Sequence, residues 1–222
     1  MALLNEEIRG QLREEFAGLT DGVKLVLFTQ EEDCQYCTET RQLTEELAEL
    51  SDKIALEIHD FAGDAELVAA YDVDKAPALA IVKDGEESVD YGIRFYGIPS
   101  AYEFSTLIQD IAMVSAGDSG LSNDTKRYLA ELETPLHLQV FVTPTCPYCS
   151  QAVRLAHMMA MESKLVVGDM VEAIEFPELS NKYNVMGVPR TVINEGVFLE
   201  GAAPEAMLMN KVREAVVVGR EG

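Results

Sequence analysis

Four cysteines make up the whole thiol content of this 222-residue chain, and they fall as two C-x-x-C pairs: Cys34 and Cys37 in "DCQYCTET", Cys146 and Cys149 in "TCPYCSQA". Thiols paired at this spacing form structural cross-links, ligate metals or undergo reversible dithiol–disulfide exchange. A zinc site built from both pairs is disfavoured by distance. Such sites bring their pairs together across roughly 15–20 residues, whereas 108 residues separate Cys37 from Cys146. Iron–sulfur or other metal carriage on one pair is the remaining metal alternative. His59, His137 and His157 are scattered without ligand spacing and read as structural or surface residues. No metal or other cofactor is therefore expected beyond the two dithiols.

The rest of the composition narrows the setting. Hydrophobic residues make up 48% of the chain without a run long enough to span a bilayer, so a soluble globular protein is expected. The segment "MALLNEEIRG" lacks the cationic flank and apolar core of a secretory signal, which makes a cytoplasmic location the expectation. Thiols are mostly kept reduced there, favouring catalytic over structural pairs. A net charge of −22 argues against nucleic acid and anionic membranes as partners. The charge is uneven: residues 1–111 carry 8 basic and 25 acidic side chains (−17), residues 112–222 carry 9 and 14 (−5).

The spacing of the pairs is itself informative. Cys34 and Cys146 lie 112 residues apart, and the same offset maps Tyr36 onto Tyr148, Tyr71 onto Tyr183, Val73 onto Val185 and Pro77 onto Pro189. An offset held over 43 residues marks two copies of one module. Each copy alternates helical and strand periods. In the first, helical spacing at 4–19 precedes strand-like runs at 23–29, 53–61, 75–85 and 87–97, with helices after Cys34, at 64–73 and at 99–114, the last with Pro99 in its first turn. The second copy predicts helices at 123–133, after Cys146, at 177–185 and from Pro204, with strands at 136–143, 164–173, 190–194 and 197–201. Residues 115–120, "SAGDSG", read as the linker, dividing the chain into units 1–116 and 121–222. The expected fold class is α/β: two tandem units, each a mixed four-stranded sheet flanked by helices.

Each C-x-x-C pair lies where a strand gives way to a helix. The first cysteine is expected to cap or open that helix, where unpaired backbone N–H groups and the helix dipole favour an anion and lower a thiol pKa from about 8.5 to ~3.5–7.5. Cys34 and Cys146 are thus the expected nucleophiles. Cys37 and Cys149, one turn further on, resolve the mixed disulfide. Ala76-Pro77 and Val188-Pro189 sit at strand starts beside the thiols, where a cis bond is expected to turn Ala76 and Val188 toward an incoming extended peptide. With Tyr36, Pro147 and Tyr148 they complete the expected substrate-binding set. Three carboxylates, Glu31, Glu32 and Asp33, precede Cys34 directly, while Cys146 follows the neutral "TPT". Cys146 is therefore expected to be the stronger nucleophile at low salt.

Cys-Pro-Tyr-Cys is the dipeptide motif of glutaredoxins, and the order of elements is that of the thioredoxin fold. Two such modules, with Cys-Gln-Tyr-Cys first and Cys-Pro-Tyr-Cys second, joined through "IRFYGIPSAYEF" at 93–104, resemble the protein disulfide oxidoreductases of archaea and thermophilic bacteria. The resemblance spans essentially the whole chain. It implies tandem thioredoxin folds and redox-active disulfides Cys34–Cys37 and Cys146–Cys149. It also implies protein disulfides as substrates and a thioredoxin-reductase-like flavoprotein as electron donor. The chain departs from thioredoxins at one point: six residues before the first cysteine, where they keep a buried aspartate, it has Phe28 and Val140. The proton acceptor is left open by this. A different alternative is an electron-relay module that docks on a flavoprotein reductase, like the tandem thioredoxin-fold extension of some peroxide-reducing systems. Those keep one dithiol of the two, which two intact pairs count against.

Overall fold

The computed structural model describes residues 2–221. The first unit runs α1 (Glu6–Phe16), β1 (Val23–Thr29), α2 (Cys37–Ala48), β2 (Ile54–Asp60), α3 (Ala65–Ala70), β3 (Ala78–Lys83), β4 (Val89–Tyr96) and α4 (Tyr102–Ala116). The second runs α5 (Asn123–Ala130), β5 (Leu136–Val142), α6 (Cys149–Ala160), β6 (Val166–Glu172), α7 (Pro177–Lys182), β7 (Arg190–Ile193), β8 (Val197–Glu200) and α8 (Glu205–Glu221). Two helix starts are capped by a polar side chain. Asn5 accepts from the Ile8 N–H, and Ser122 from the Thr125 N–H. Pro99 does not open α4; Ala101, at φ 52°, is its cap, and the proline lies in the connection before it.

The two four-stranded cores are not separate sheets. Strand order is β2-β1-β3-β4-β6-β5-β7-β8, one eight-stranded sheet closed at its centre by parallel pairing of β4 with β6. Gly92 of β4 makes that centre possible. At φ 75°, a Cβ there would come within 2.7 Å of the Val166 carbonyl oxygen, so only glycine lets β4 lie this close to β6. Both faces of the sheet are covered. A large core on one face draws on α1, α2, α4, α5, α6 and α8. A smaller one, around Phe28, Tyr96, Phe141 and Tyr183, lies under the segments carrying α3 and α7. Burial on both faces explains why β1, β3 and β5 read as nearly continuous apolar runs.

Strand directions place the chemistry. β1 is parallel to β2 and antiparallel to β3, β3 is antiparallel to β4, β4 is parallel to β6, and β6 is parallel to β5. The carboxyl ends of β1 and β5, each followed by a C-x-x-C pair, therefore lie on one edge of one sheet. Four inter-strand steps separate them, about 19 Å at ~4.8 Å per step.

The 112-residue offset slips inside the module. β1 and β5 are 113 residues apart, while β2 and β6 keep 112. The first unit thus has one extra residue between its strand and Cys34, and Asp33 turns the chain there at φ 52°. In consequence the structural counterpart of Phe28 is Phe141 rather than Val140: both phenylalanines belong to the smaller core, and Val140 faces the other side.

Candidate active site

Each pair closes a disulfide, Cys34–Cys37 and Cys146–Cys149, with Cα atoms 5.5 Å apart in both. The leading cysteines stand further ahead of their helices than the sequence suggested. Cys37 and Cys149 are the first residues of α2 and α6, Tyr36 and Tyr148 are the caps, and Cys34 and Cys146 lie in the preceding turn. The turn intervenes because the two residues between the cysteines are needed to swing the chain from strand to helix. Neither cap side chain takes a helix N–H. The first-turn amides and the dipole therefore act on the sulfurs rather than on a capping oxygen.

Exposure separates the roles. Cys37 and Cys149 are buried, at 2% and 0%, so an incoming disulfide meets Cys34 or Cys146 first. The two leading sulfurs differ, since Cys34 is half-buried and Cys146 is 8% exposed. Tyr148 and Pro147 are exposed and Tyr36 is half-buried. Both Ala76-Pro77 and Val188-Pro189 are cis. Pro77 stands immediately before β3, whose Ala78 pairs with Phe28 at the end of β1, and its carbonyl accepts from the Gly97 N–H. Pro189 occupies the matching place before β7, accepting from the Gly201 N–H. The topology thus brings every expected site residue to one edge, as two clusters.

Their surroundings differ. A cavity of about 780 Å³ flanks the first dithiol, reaching Cys37 between the ends of β1 and β2 and rimmed by Glu31, Glu32, Asp33 and Asp60. At the second dithiol the first turn of α6 packs beside α4. Ser105 and Ser150 face one 420 Å³ cavity, as do Gln109 and Arg154, which touch. Equal steps along both helices mean that they run parallel, so the start of α4 lies beside the start of α6. There stands Glu103, 2% exposed, with Oε2 accepting from the Thr106 hydroxyl at 2.9 Å and Oε1 without a partner. Burial pushes its carboxyl up to about 7. Sequence reading missed it, because nothing in "AYEFSTL" says that this glutamate faces inward.

Similarity to known proteins bears on this geometry. The family model of the thioredoxin domain matches residues 136–214. The alkyl hydroperoxide reductase AhpF of Staphylococcus epidermidis is 27% identical over 90% of the chain, and the AhpF of Staphylococcus aureus 23% identical over 95%. The chain spans about a third of the length of these curated relatives (34% and 38%). The NTD_N/C domain of the Enterococcus faecalis AhpF superposes with a TM-score of 0.85 at 26% identity, covering 94% of this chain and 99% of that one. A protein disulfide oxidoreductase from Aeropyrum pernix superposes with a TM-score of 0.89 at 30% identity, covering 96% of this chain and 93% of that one. The chain belongs to the protein disulfide oxidoreductases. As a thiol–disulfide oxidoreductase with a tandem thioredoxin fold, it carries both C-x-x-C disulfides at helix starts. No described helix is long and apolar enough to cross a membrane.

In this oxidoreductase, charge and access at the leading sulfurs oppose each other. Three exposed carboxylates directly precede Cys34; negative charge near a thiol disfavours its thiolate, an effect that salt screens over a Debye length of about 8 Å at physiological strength. Cys146 has no such neighbours in its turn, but is less exposed. At low salt and neutral pH, Cys146 of the reduced protein is expected to react with iodoacetamide several-fold faster than Cys34, and the ratio to fall as salt is raised. Peptide mass mapping after timed labelling measures it. A ratio indifferent to salt would show that access alone sets the rates.

Proposed function

We propose that the protein moves electron pairs between protein disulfides and a thioredoxin-reductase-like flavoprotein, reducing, oxidising or isomerising its substrates according to the partners available. The observation that carries this is the pair of helix-start disulfides, each beside an X-Pro strand start, on a single sheet edge. Cys34 and Cys146 attack, Cys37 and Cys149 resolve, and Ala76-Pro77 and Val188-Pro189, with Tyr36, Pro147 and Tyr148, receive the extended substrate. The units 1–116 and 121–222 act as separate exchange centres, and the chemistry requires no cofactor beyond the dithiols. Catalysis of insulin disulfide reduction with dithiothreitol as electron source tests the reading; a rate no greater than that of dithiothreitol alone would refute it.

The match to AhpF chains favours a second reading, in which this chain relays electrons from a docked flavoprotein to one dedicated acceptor. Two intact dithiols favour the broader exchange role. Turnover of several unrelated protein disulfides at similar rates supports that role, and strict dependence on one acceptor supports the relay.

Resolution needs a base for the buried thiol, and at the second dithiol Glu103 is placed to supply it. The contact of Asp110 with His157 fixes the pairing of α4 with α6. Seven residues back along α4 and eight along α6, about 10–12 Å at ~1.5 Å per residue, stand Glu103 and Cys149. A carboxyl titrating at about 7 can hold the Cys149 proton near neutrality and release it. In protein with Cys34 and Cys37 replaced by serine, Glu103→Gln is expected to slow resolution roughly 100-fold. It should also remove the rise in rate through pH 7. Stopped-flow release of the second thionitrobenzoate from an aromatic disulfide reagent measures both. An unchanged pH profile would assign the proton elsewhere.

A further inference from the structure

At three positions around the leading cysteine the two units carry different side chains on matching backbone. The 112-residue offset pairs Tyr36 with Tyr148, Ala62 with Ile174 and Asp74 with Met186. The structure keeps these pairs equivalent. Past β2 the Phe61 N–H donates to the Thr29 carbonyl, and past β6 the Ala173 N–H donates to that of Val142, so Ala62 and Ile174 take the same next place. Asp72 and Asn184 turn the chain at φ 52° and 51°, ahead of Asp74 and Met186, which each lead into a cis proline. In the second unit all three side chains are large, uncharged and in solvent: Tyr148 and Ile174 are 67% exposed and Met186 86%. In the first, Tyr36 is half-buried, Ala62 offers one methyl group and Asp74 is charged.

Ile174 and Met186 bracket Cys146. Strands β6, β5 and β7 are neighbours in that order. Ile174 follows the end of β6, Cys146 follows the end of β5, and Met186 leads into β7 through Val188-Pro189. Two inter-strand steps separate β6 from β7, about 10 Å, which is the span of three residues of extended chain at ~3.3 Å each. The loop that carries Ile174 is fixed. Glu172 Oε2 accepts from the Ile174 and Glu175 N–H groups at 3.0 and 2.7 Å, and Glu175 Oε1 accepts from the Ile98 N–H at 2.7 Å. Exposed apolar residues are ordinary when scattered singly; a group of them about a reactive sulfur marks a surface that a partner covers.

We infer that Tyr148, Ile174 and Met186 form a collar by which the second dithiol selects disulfides whose cysteine lies in an extended segment with apolar neighbours. This rests on the exchange chemistry proposed above and names a substrate class for one of its two sites. The collar continues the strand start at Val188-Pro189, and the residues before Cys146 are neutral. Apolar flanks laid on it leave water, whereas a charged flank would be desolvated there without a partner. The first dithiol offers the opposite setting, with Asp74 in the place of Met186 and Glu31, Glu32, Asp33 and Asp60 around its cavity. On the collar, the Cys146 thiolate attacks the substrate disulfide, bonds to one sulfur and expels the other as thiolate. The Cys149 thiolate then attacks Cys146, forms the Cys146–Cys149 bond and expels the second substrate thiolate. The two expelled thiolates take up the two protons that Cys146 and Cys149 released, so two electrons pass from the dithiol to one substrate disulfide.

The test uses full-length reduced protein with one dithiol at a time, the other pair being serine, and two synthetic peptide disulfides. Each is a dimer of a short glycine–serine peptide joined through one cysteine, which has leucine on both sides in one peptide and lysine in the other. Single-turnover reduction is followed by acid quench and chromatography at high salt, where attraction of lysine to the acidic chain is screened. Dividing each rate by that with dithiothreitol removes intrinsic reactivity. At the second dithiol the leucine peptide is expected to react about tenfold faster than the lysine peptide; at the first it should have no advantage. Ile174→Ala with Met186→Asp, which gives the second unit the side chains of the first, should abolish the preference. Ala62→Ile with Asp74→Met should create it at the first dithiol, a gain that misfolding could not produce. Equal rates for the two peptides at the second dithiol would overturn the inference, as would a preference that survives the exchange of side chains. Reduction of neither peptide by either dithiol would refute instead the exchange chemistry on which it rests.

Discussion

Insulin reduction is expected to fall to the dithiothreitol background when Cys34 and Cys146 are both replaced by serine. A serine hydroxyl is not ionised at neutral pH, and neither helix start can make it the nucleophile that a thiolate is. The remaining Cys37 and Cys149 are buried and cannot substitute, since a protein disulfide cannot reach them. Each single replacement is expected to keep the turnover of the other dithiol, because the centres lie on β1 and β5, with three strands between them in the sheet. Replacing Cys37 or Cys149 instead should trap a mixed disulfide on the leading sulfur. Initial rates and the mass of the trapped adduct check the set. Substantial turnover in the double variant would remove both sulfurs from the mechanism.

What could be read in the sequence, and what could not, follows from which interactions are local. The strand-type run 23–29 became β1 residue for residue, and 136–143 became β5 one residue shorter, because a strand buried on both faces is written as an unbroken apolar run. The repeat was visible since tyrosines, cysteines and prolines recur at one offset. The joining of the two sheets was not, because an edge strand that pairs reads like one that stays free; Gly92 is the residue that signals it in retrospect. The one-residue slip before Cys34 is hidden by the identical spacing of the motifs, which aligns Val140 rather than Phe141 with Phe28. Glu103 escaped notice for a related reason. Its burial at the start of α4, beside α6, arises from packing between elements far apart in the chain.

The same helix contact that places Glu103 also joins the two halves. Asp110 of α4 and His157 of α6 are fully buried, with Asp110 Oδ2 2.6 Å from His157 Nδ1, and Phe95 lies edge-on to the imidazole at 4.9 Å. Burial pushes the Asp110 carboxyl up, while His157 pulls it back toward the charged form. Asp110 Oδ1 and His157 Nε2 have no partner, so this one contact satisfies what polarity is satisfied there. Removing one member leaves the other buried and unpaired, a loss of about 3–5 kcal/mol. Asp110→Ala is therefore expected to lower stability by that amount and to loosen α4 from α6. Asp110→Asn should cost less, because its amide oxygen still accepts from Nδ1–H. A paired replacement, Asp110→Ala with His157→Leu, is expected to recover much of the loss, since the desolvated imidazole is gone. Denaturant unfolding of the four proteins measures this, and a double variant no more stable than Asp110→Ala would show that packing at the joint, rather than an orphaned polar group, carries the cost. Because Glu103 is held in place through this contact, Asp110→Ala should also slow resolution at Cys149 while leaving Cys37 resolution at its normal rate. That split between the two dithiols is the result a general loss of folding could not produce.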